Sequence, residues 1–168
     1  MDQALSEGSR IGLVPGGIPE IFEGYPKPLT HPDDEIAIVP KGFLRMALRH
    51  QIPVVPVYAF GITKLFKRLQ LPDIVERWST MLRISICLFF GVAGLPIPFR
   101  QKLFYIMGDP IVPPSTDTAN ASTVNTAEQE TQAVNQMHQA FCEELMRLFE
   151  NHKELYGWGH KSLHLISR

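Results

Sequence analysis

The sequence predicts an α/β fold that ends in a long helix, and three observations carry the prediction. Residues 41–61 (KGFLRMALRHQIPVVPVYAFG) pass from helical spacing into a β-branched and aromatic run within one stretch. Short apolar runs at 11–14, 35–39 and 103–107 are each bounded by glycine or proline, as strands are. Residues 128–156 place Val134, Met137, Phe141, Leu145, Leu148 and His152 at steps of three and four, which puts them on one helix face.

Taken in order, residues 1–9 read as the end of a helix stopped at Gly8. Residues 11–14 read as a strand that runs into Pro15-Gly16-Gly17, and residues 19–22 open a further helix. Three prolines make 24–34 a loop, and 35–39 alternates as a strand. In 41–61, Phe43, Leu44, Ala47 and Leu48 fall on one side of a short helix. Lys41, Arg45 and Arg49 recur every four residues as a basic stripe on another face. Residues 53–60 form a buried strand, because two prolines forbid helix there, and Gly61 ends it. Residues 62–83 have helical spacing, broken at Pro72. The run 84–99 (ISICLFFGVAGLPIPF) is apolar but too short and too interrupted to span a bilayer, so it reads as buried or membrane-grazing. A basic turn at 100–102, a strand at 103–107 and a stop at Gly108-Asp109-Pro110 follow. Residues 1–112 thus form the α/β portion. They are followed by a linker or exposed loop at 113–127, a helix at 128–157 and a tail at 158–168. On the long helix, Glu143 with Arg147 and Glu150 with Lys153 are spaced as ion pairs.

A chain of 168 residues with 45% hydrophobic and 20% charged residues suits one globular domain with a core. The net charge of −1 conceals an uneven distribution. Residues 1–40 carry two basic and seven acidic side chains, 41–105 carry ten and two, and 106–168 carry four and eight. A basic middle third suggests a surface for phosphates of a cofactor, lipid headgroups or nucleic acid. Cys87 and Cys142 read as buried free thiols in a reducing compartment, and 1–10 shows no signal peptide.

Chemistry has few footholds at this level. Gly16-Gly17 after a strand could let backbone N–H groups approach a ligand, with Glu20 orienting it, yet neither dinucleotide nor Walker spacing is present. There is no C-x-x-C, H-E-x-x-H or G-x-S-x-G. Asn120-Ala-Ser matches the glycosylation triplet, which carries little by itself. His138 and His152 read as helix-face residues, each with one polar partner, rather than as catalysts. The cations at 41–49 and 64–68 lack the aromatic interleaving of nucleic-acid binders, so nucleic acid is not expected.

Four blocks in order give the chain a resemblance. VPGGIPEIF at 14–22, the 41–61 block, IPFRQKLFYIMGDPIVPP at 97–114 and MHQAFCEELMRLFENHKELYG at 137–157 resemble the diacylglycerol acyltransferases, a family that includes monoacylglycerol and wax-alcohol acyltransferases. The resemblance implies a glycerolipid-acyltransferase-like mixed sheet flanked by helices, with the N-terminal part of that fold missing. It implies acyl transfer from acyl-CoA, as co-substrate, to a lipid alcohol, diacylglycerol foremost. No permanently bound cofactor or metal is implied. The place would be the cytosolic face of the endoplasmic-reticulum membrane, with a membrane surface and a homo-oligomer among the partners.

Carried over by motif, Gly16, Gly17 and Glu20 would line the acceptor or acyl-CoA site, with Glu20 as an orienting residue. Lys41, Arg45 and Arg49 would meet CoA phosphates or headgroups, Pro56, Phe60 and Gly61 would form the strand-end block, and 84–99 would face acyl chains or the bilayer. The family's general base is the first histidine of a His-Pro-His-Gly motif, which this sequence does not contain. H-x-x-x-x-D is also absent, since Ile36 stands five on from His31 and Glu143 five on from His138. The sequence therefore reads as the C-terminal part of such an enzyme. The alternative is a non-catalytic, membrane-associated short form that binds acyl-CoA or a full-length partner.

Overall fold

The computed structural model describes residues 8, 10–16, 34–68, 89–114 and 126–167. These form two compact units. One comprises Met1–Tyr58 with Ile106–Arg168, and the other Ala59–Tyr105. The expectations for 1–7, 17–33, 69–88 and 115–125, among them Gly17, Glu20 and Cys87, lie outside the described residues.

In the first unit, β1 (Asp34–Val39) leads to α1 (Gly42–His50). The apolar face of α1, with Leu44, Ala47 and Leu48 buried, packs against α2 (Thr126–Tyr156). The face of α2 predicted from its spacing is the core face: Val134, Met137, Phe141, Leu145 and Leu148 are buried, and His152 is half-buried at its edge. Phe43 and Phe141 meet edge-to-face at 5.2 Å, and Tyr58 and Phe149 at 5.4 Å. Helix α1 ends where Gln51 adopts a left-handed φ of 51°, and the Gln51 side-chain amide donates to the Leu48 carbonyl at 2.9 Å. Gly157, at φ 87°, ends α2.

Residues 158–167 are not a tail. Ser162–Ser167 forms β6, which lies parallel to β1 from Asp34↔Ser162 to Val39↔Ser167. Parallel pairing needs a long crossover, and the chain from α1 through α2 supplies it. The contact is fixed by a buried ion pair of Lys161 Nζ with Glu35 Oε1, and the Lys161 ammonium also lies 4.6 Å from the Trp158 ring. Sequence offered no cue for a pair 126 residues apart.

Other expectations are corrected. Residues 11–14 form no strand: Ile11, Leu13 and Val14 are exposed, and none of the described residues pairs with them. The strand expected over 53–60 is shortened to β2 (Val57–Phe60), with Val54 in an isolated antiparallel bridge to Ile111, because Pro53 and Pro56 cannot donate to a ladder. Val55 and Val57 are exposed, so the strand is only partly buried.

In the second unit the helix expected from residue 62 is one 3₁₀ turn, Ile62–Lys64. It gives way to β3 (Lys67–Arg68), antiparallel to β4 (Phe89–Phe90). The apolar run is not buried over 92–98, where every residue is exposed. β5 (Phe104–Met107) pairs with β2, and the division between the units falls within both strands. The expected mixed sheet is therefore seen, among the described residues, as separate two-stranded pairs, parallel in β1–β6 and antiparallel in β3–β4. On α2 the Glu150–Lys153 pair forms at 2.6 Å, but Arg147 takes Glu144 rather than Glu143, which accepts from Gln139.

Candidate functional site

The basic stripe forms as its spacing requires, with Lys41 immediately before α1 and Arg45 and Arg49 one and two turns along it. It does not face open solvent alone. Lys41 Nζ donates to Asn135 Oδ1 at 2.8 Å, and Arg49 Nε donates to Glu130 Oε1 at 3.3 Å. Arg45 Nε stands 3.7 Å from the same oxygen. One carboxylate thus serves two guanidiniums, whose side chains stay 50% and 67% exposed. Among the described residues Glu130 is the one carboxylate in contact with the stripe.

Pro56 is fully buried, and its carbonyl accepts from the Gly108 amide at 2.8 Å. Two further main-chain bonds, Val54 N to Ile111 O at 3.0 Å and Ile111 N to Val54 O at 2.8 Å, tie the same segments. From Gly108-Asp109 the connection continues into α2. Glu144 Oε1 accepts from the Asp109 amide at 3.0 Å, and Arg147 Nη2 donates to Asp109 Oδ2 at 3.0 Å and to Glu144 Oε1 at 2.6 Å. Arg147 hydrogen bonding holds the Glu144 carboxyl below its usual range, and Glu144 in turn raises the guanidinium. The Glu144 carboxylate packs over the Cα of Gly108, where a Cβ would have to displace it. Three blocks far apart in sequence therefore meet around Gly108-Asp109. The i,i+3 spacing of Glu144 and Arg147 was the one available signal for this latch.

The other expected residues are not gathered here. Gly16 is buried in the first unit. Phe60 and Gly61 lie in the second, where Phe60 stacks at 6.1 Å from Phe104 and Gly61 turns the chain at φ 90°. Each helix-face histidine bonds a main-chain carbonyl. His138 Nε2 lies 2.9 Å from the Val39 carbonyl, an acceptor only, so that nitrogen carries the proton, and Cys142 Sγ lies 3.8 Å from Nδ1. His152 Nδ1 likewise donates to the Leu148 carbonyl at 2.9 Å. Burial pushes the Cys142 thiol up, Glu143 adds to this, and Lys41 opposes it, so Cys142 is no activated nucleophile. Among the described residues no three His, Cys, Asp or Glu side chains are grouped to hold a metal ion.

Comparison with known proteins decides the family. The model of the family described as diacylglycerol acyltransferase matches residues 1–167. The chain belongs to the diacylglycerol acyltransferase family. Among the similar relatives is 2-acylglycerol O-acyltransferase 1 of Bos taurus, 32% identical over 157 residues, covering 86% of this chain and 42% of that protein. Acyl-CoA wax alcohol acyltransferase 2 of Homo sapiens is 28% identical over 165 residues, covering 89% and 44%. Diacylglycerol O-acyltransferase 2 of Rattus norvegicus is 28% identical over 176 residues, covering 94% and 41%. The chain thus spans less than half the length of these family members. No solved structure matches it significantly. Among the described residues no helix is long and apolar enough to cross a membrane.

Proposed function

We propose that this chain forms the substrate-holding part of an acyl-CoA-dependent O-acyltransferase of neutral lipid synthesis, with diacylglycerol or a related lipid alcohol as acceptor. Membership of the family supports the reaction class. The observation that carries the reading is that the 53–58 strand-end segment, Gly108-Asp109 and Glu144 with Arg147 are bonded to one another, while an earlier part of the same helix α2 holds the basic stripe. In this reading Arg45 and Arg49 hold CoA phosphates and the latch keeps the strand-end segment and α2 in fixed register.

The reaction requires the acceptor oxygen to attack the thioester carbonyl. A C–O bond forms, the C–S bond breaks, and the hydroxyl proton passes through a base to the leaving thiolate. By the resemblance, we assign the base to a His-Pro-His-Gly segment, which these 168 residues do not contain, at the cytosolic face of the endoplasmic reticulum. The second reading is a non-catalytic form that binds acyl-CoA or a longer partner.

Incubation with labelled acyl-CoA and diacylglycerol separates the two. The 168 residues alone should form little or no triacylglycerol. Addition of a segment carrying the histidine motif restores transfer if the chain is an enzyme part, and leaves the products unchanged if it is a non-catalytic form. Robust transfer by the chain alone would show that the base lies within it.

A further inference from the structure

The carboxylate of Glu130 stands where an anion bound to the stripe would have to stand. From the second turn of α2 its Oε1 accepts from Arg49 Nε at 3.3 Å and lies 3.7 Å from Arg45 Nε, a reach of 81 residues in sequence from Arg49. Arg45 and Arg49 are four apart on α1, so two like charges share one side of the helix and repel each other. The space between them is where a negative oxygen gains most, since it is attracted by both. Helix α1 (GFLRMALRH) contains no acidic residue, so the oxygen that fills this space comes from α2. A phosphate oxygen bonded to both guanidiniums would occupy the same position.

The contact is weak enough to exchange. At 3.3 Å and 3.7 Å it is long beside the 2.6 Å of Arg147 with Glu144 on α2 itself. All three side chains reach water, Glu130 being 34% exposed, and ion pairs in that setting contribute little. Nothing like the buried enclosure of Lys161 with Glu35 holds it. Lys41, the first cation of the stripe, is held differently: it donates to the neutral amide of Asn135. The competing carboxylate is thus confined to the two arginines.

We propose that Glu130 is an internal competitor for the phosphate site of the stripe: its carboxylate swings aside when a phosphate binds Arg45 and Arg49, and returns when the ligand leaves. Only the fraction of molecules with Glu130 displaced is competent to bind, so the competitor weakens every ligand that uses the arginine pair by one common factor. Acyl-CoA and the CoA left after transfer carry the same phosphates. The returning carboxylate therefore hastens release of the spent CoA, a step that tight phosphate binding would slow. The proposal rests on the acyltransferase reading for the source of the phosphate alone, because a phosphorylated lipid headgroup offers the arginines the same chemistry.

The test is equilibrium and stopped-flow binding of two probes to the full chain, a labelled acyl-CoA and phosphatidylcholine vesicles containing phosphatidic acid. Glu130→Gln should tighten binding about three- to tenfold, mostly through slower dissociation, a gain that misfolding would not produce. Glu128→Gln makes the same change of net charge two residues away on α2 and should alter binding by less than about twofold. In a chain that already carries Arg45→Gln with Arg49→Gln, Glu130→Gln should have no further effect. Tightening of acyl-CoA supports the competitor and CoA as its ligand. Tightening of the vesicles alone supports the competitor and contradicts the acyl-CoA reading of the stripe, so the two failures are read separately. The proposal is overturned if Glu130→Gln tightens neither probe, if Glu128→Gln tightens them equally, or if the gain persists without the arginines. Weaker binding in Glu130→Gln would also overturn it and show that the carboxylate orients the guanidiniums instead.

Discussion

Arg147 donates to the Asp109 carboxylate at 3.0 Å, joining the turn after β5 to the middle of α2 across 38 residues of sequence. The same guanidinium holds Glu144, whose carboxyl accepts from the Asp109 amide. Because Glu144 titrates below its usual value in the folded protein, its contribution to stability is present above about pH 4.3. That contribution is lost as pH falls through the lowered folded value. Arg147→Met removes the cause, so acid unfolding followed by tryptophan fluorescence should begin at higher pH in the variant. An unchanged acid limb would mean that the latch does not bear on stability.

Gly108 belongs to the same device. Alanine there must displace the Glu144 carboxylate and break its bond to the Asp109 amide, at a cost of about 1–2 kcal/mol in denaturant unfolding. In a Glu144→Ala background the obstacle is gone, and Gly108→Ala should cost little. The double-mutant cycle should therefore be strongly non-additive, whereas two independent sites would add.

The buried Lys161–Glu35 pair makes the docking of β6 an electrostatic as well as a hydrogen-bonded event. Lys161→Met takes the cation away from a buried carboxylate and should destabilise by about 3–5 kcal/mol. Combining it with Glu35→Gln should return a large part of that loss. If the single and double variants unfold at the same denaturant concentration, the pair does not hold the strand.

Cys142 gives a chemical readout of the α1–α2 contact. Its thiol is pushed up by burial first and by Glu143 second. At neutral pH it should react with a disulfide reagent more slowly in the native protein than in the chain unfolded by denaturant. Equal rates would contradict the packing around it.

Local features were legible in the sequence where they rest on periodicity. The apolar face of α2, the basic stripe on α1 and the chain reversal at Gly61 follow from spacing and from residue type. Pairings that depend on distant partners were not. The 11–14 run has strand composition but no described neighbour, and 162–167, which was read as a tail, is a strand because β1 and Glu35 receive it. Over 62–68 the expected helix gives way to a 3₁₀ turn and to β3, whose pairing with β4 spacing cannot reveal. At the candidate site the stripe was foreseen, but its partners Glu130 and Asn135 were not, since they lie on the other helix. The Asp109–Glu144–Arg147 latch was missed for a related reason: Glu143 and Arg147 have good helical spacing, and only the turn after β5 makes Glu144 the better partner.

The central claim is that this chain holds acyl-CoA through the stripe on α1, and equilibrium binding of a labelled acyl-CoA to the 168-residue protein tests it most directly. Saturable binding that Arg45→Glu with Arg49→Glu weakens about tenfold or more is the predicted result, with Arg45→Lys and Arg49→Lys retaining most of it. Binding that is absent, or that charge reversal leaves unchanged, would contradict the account.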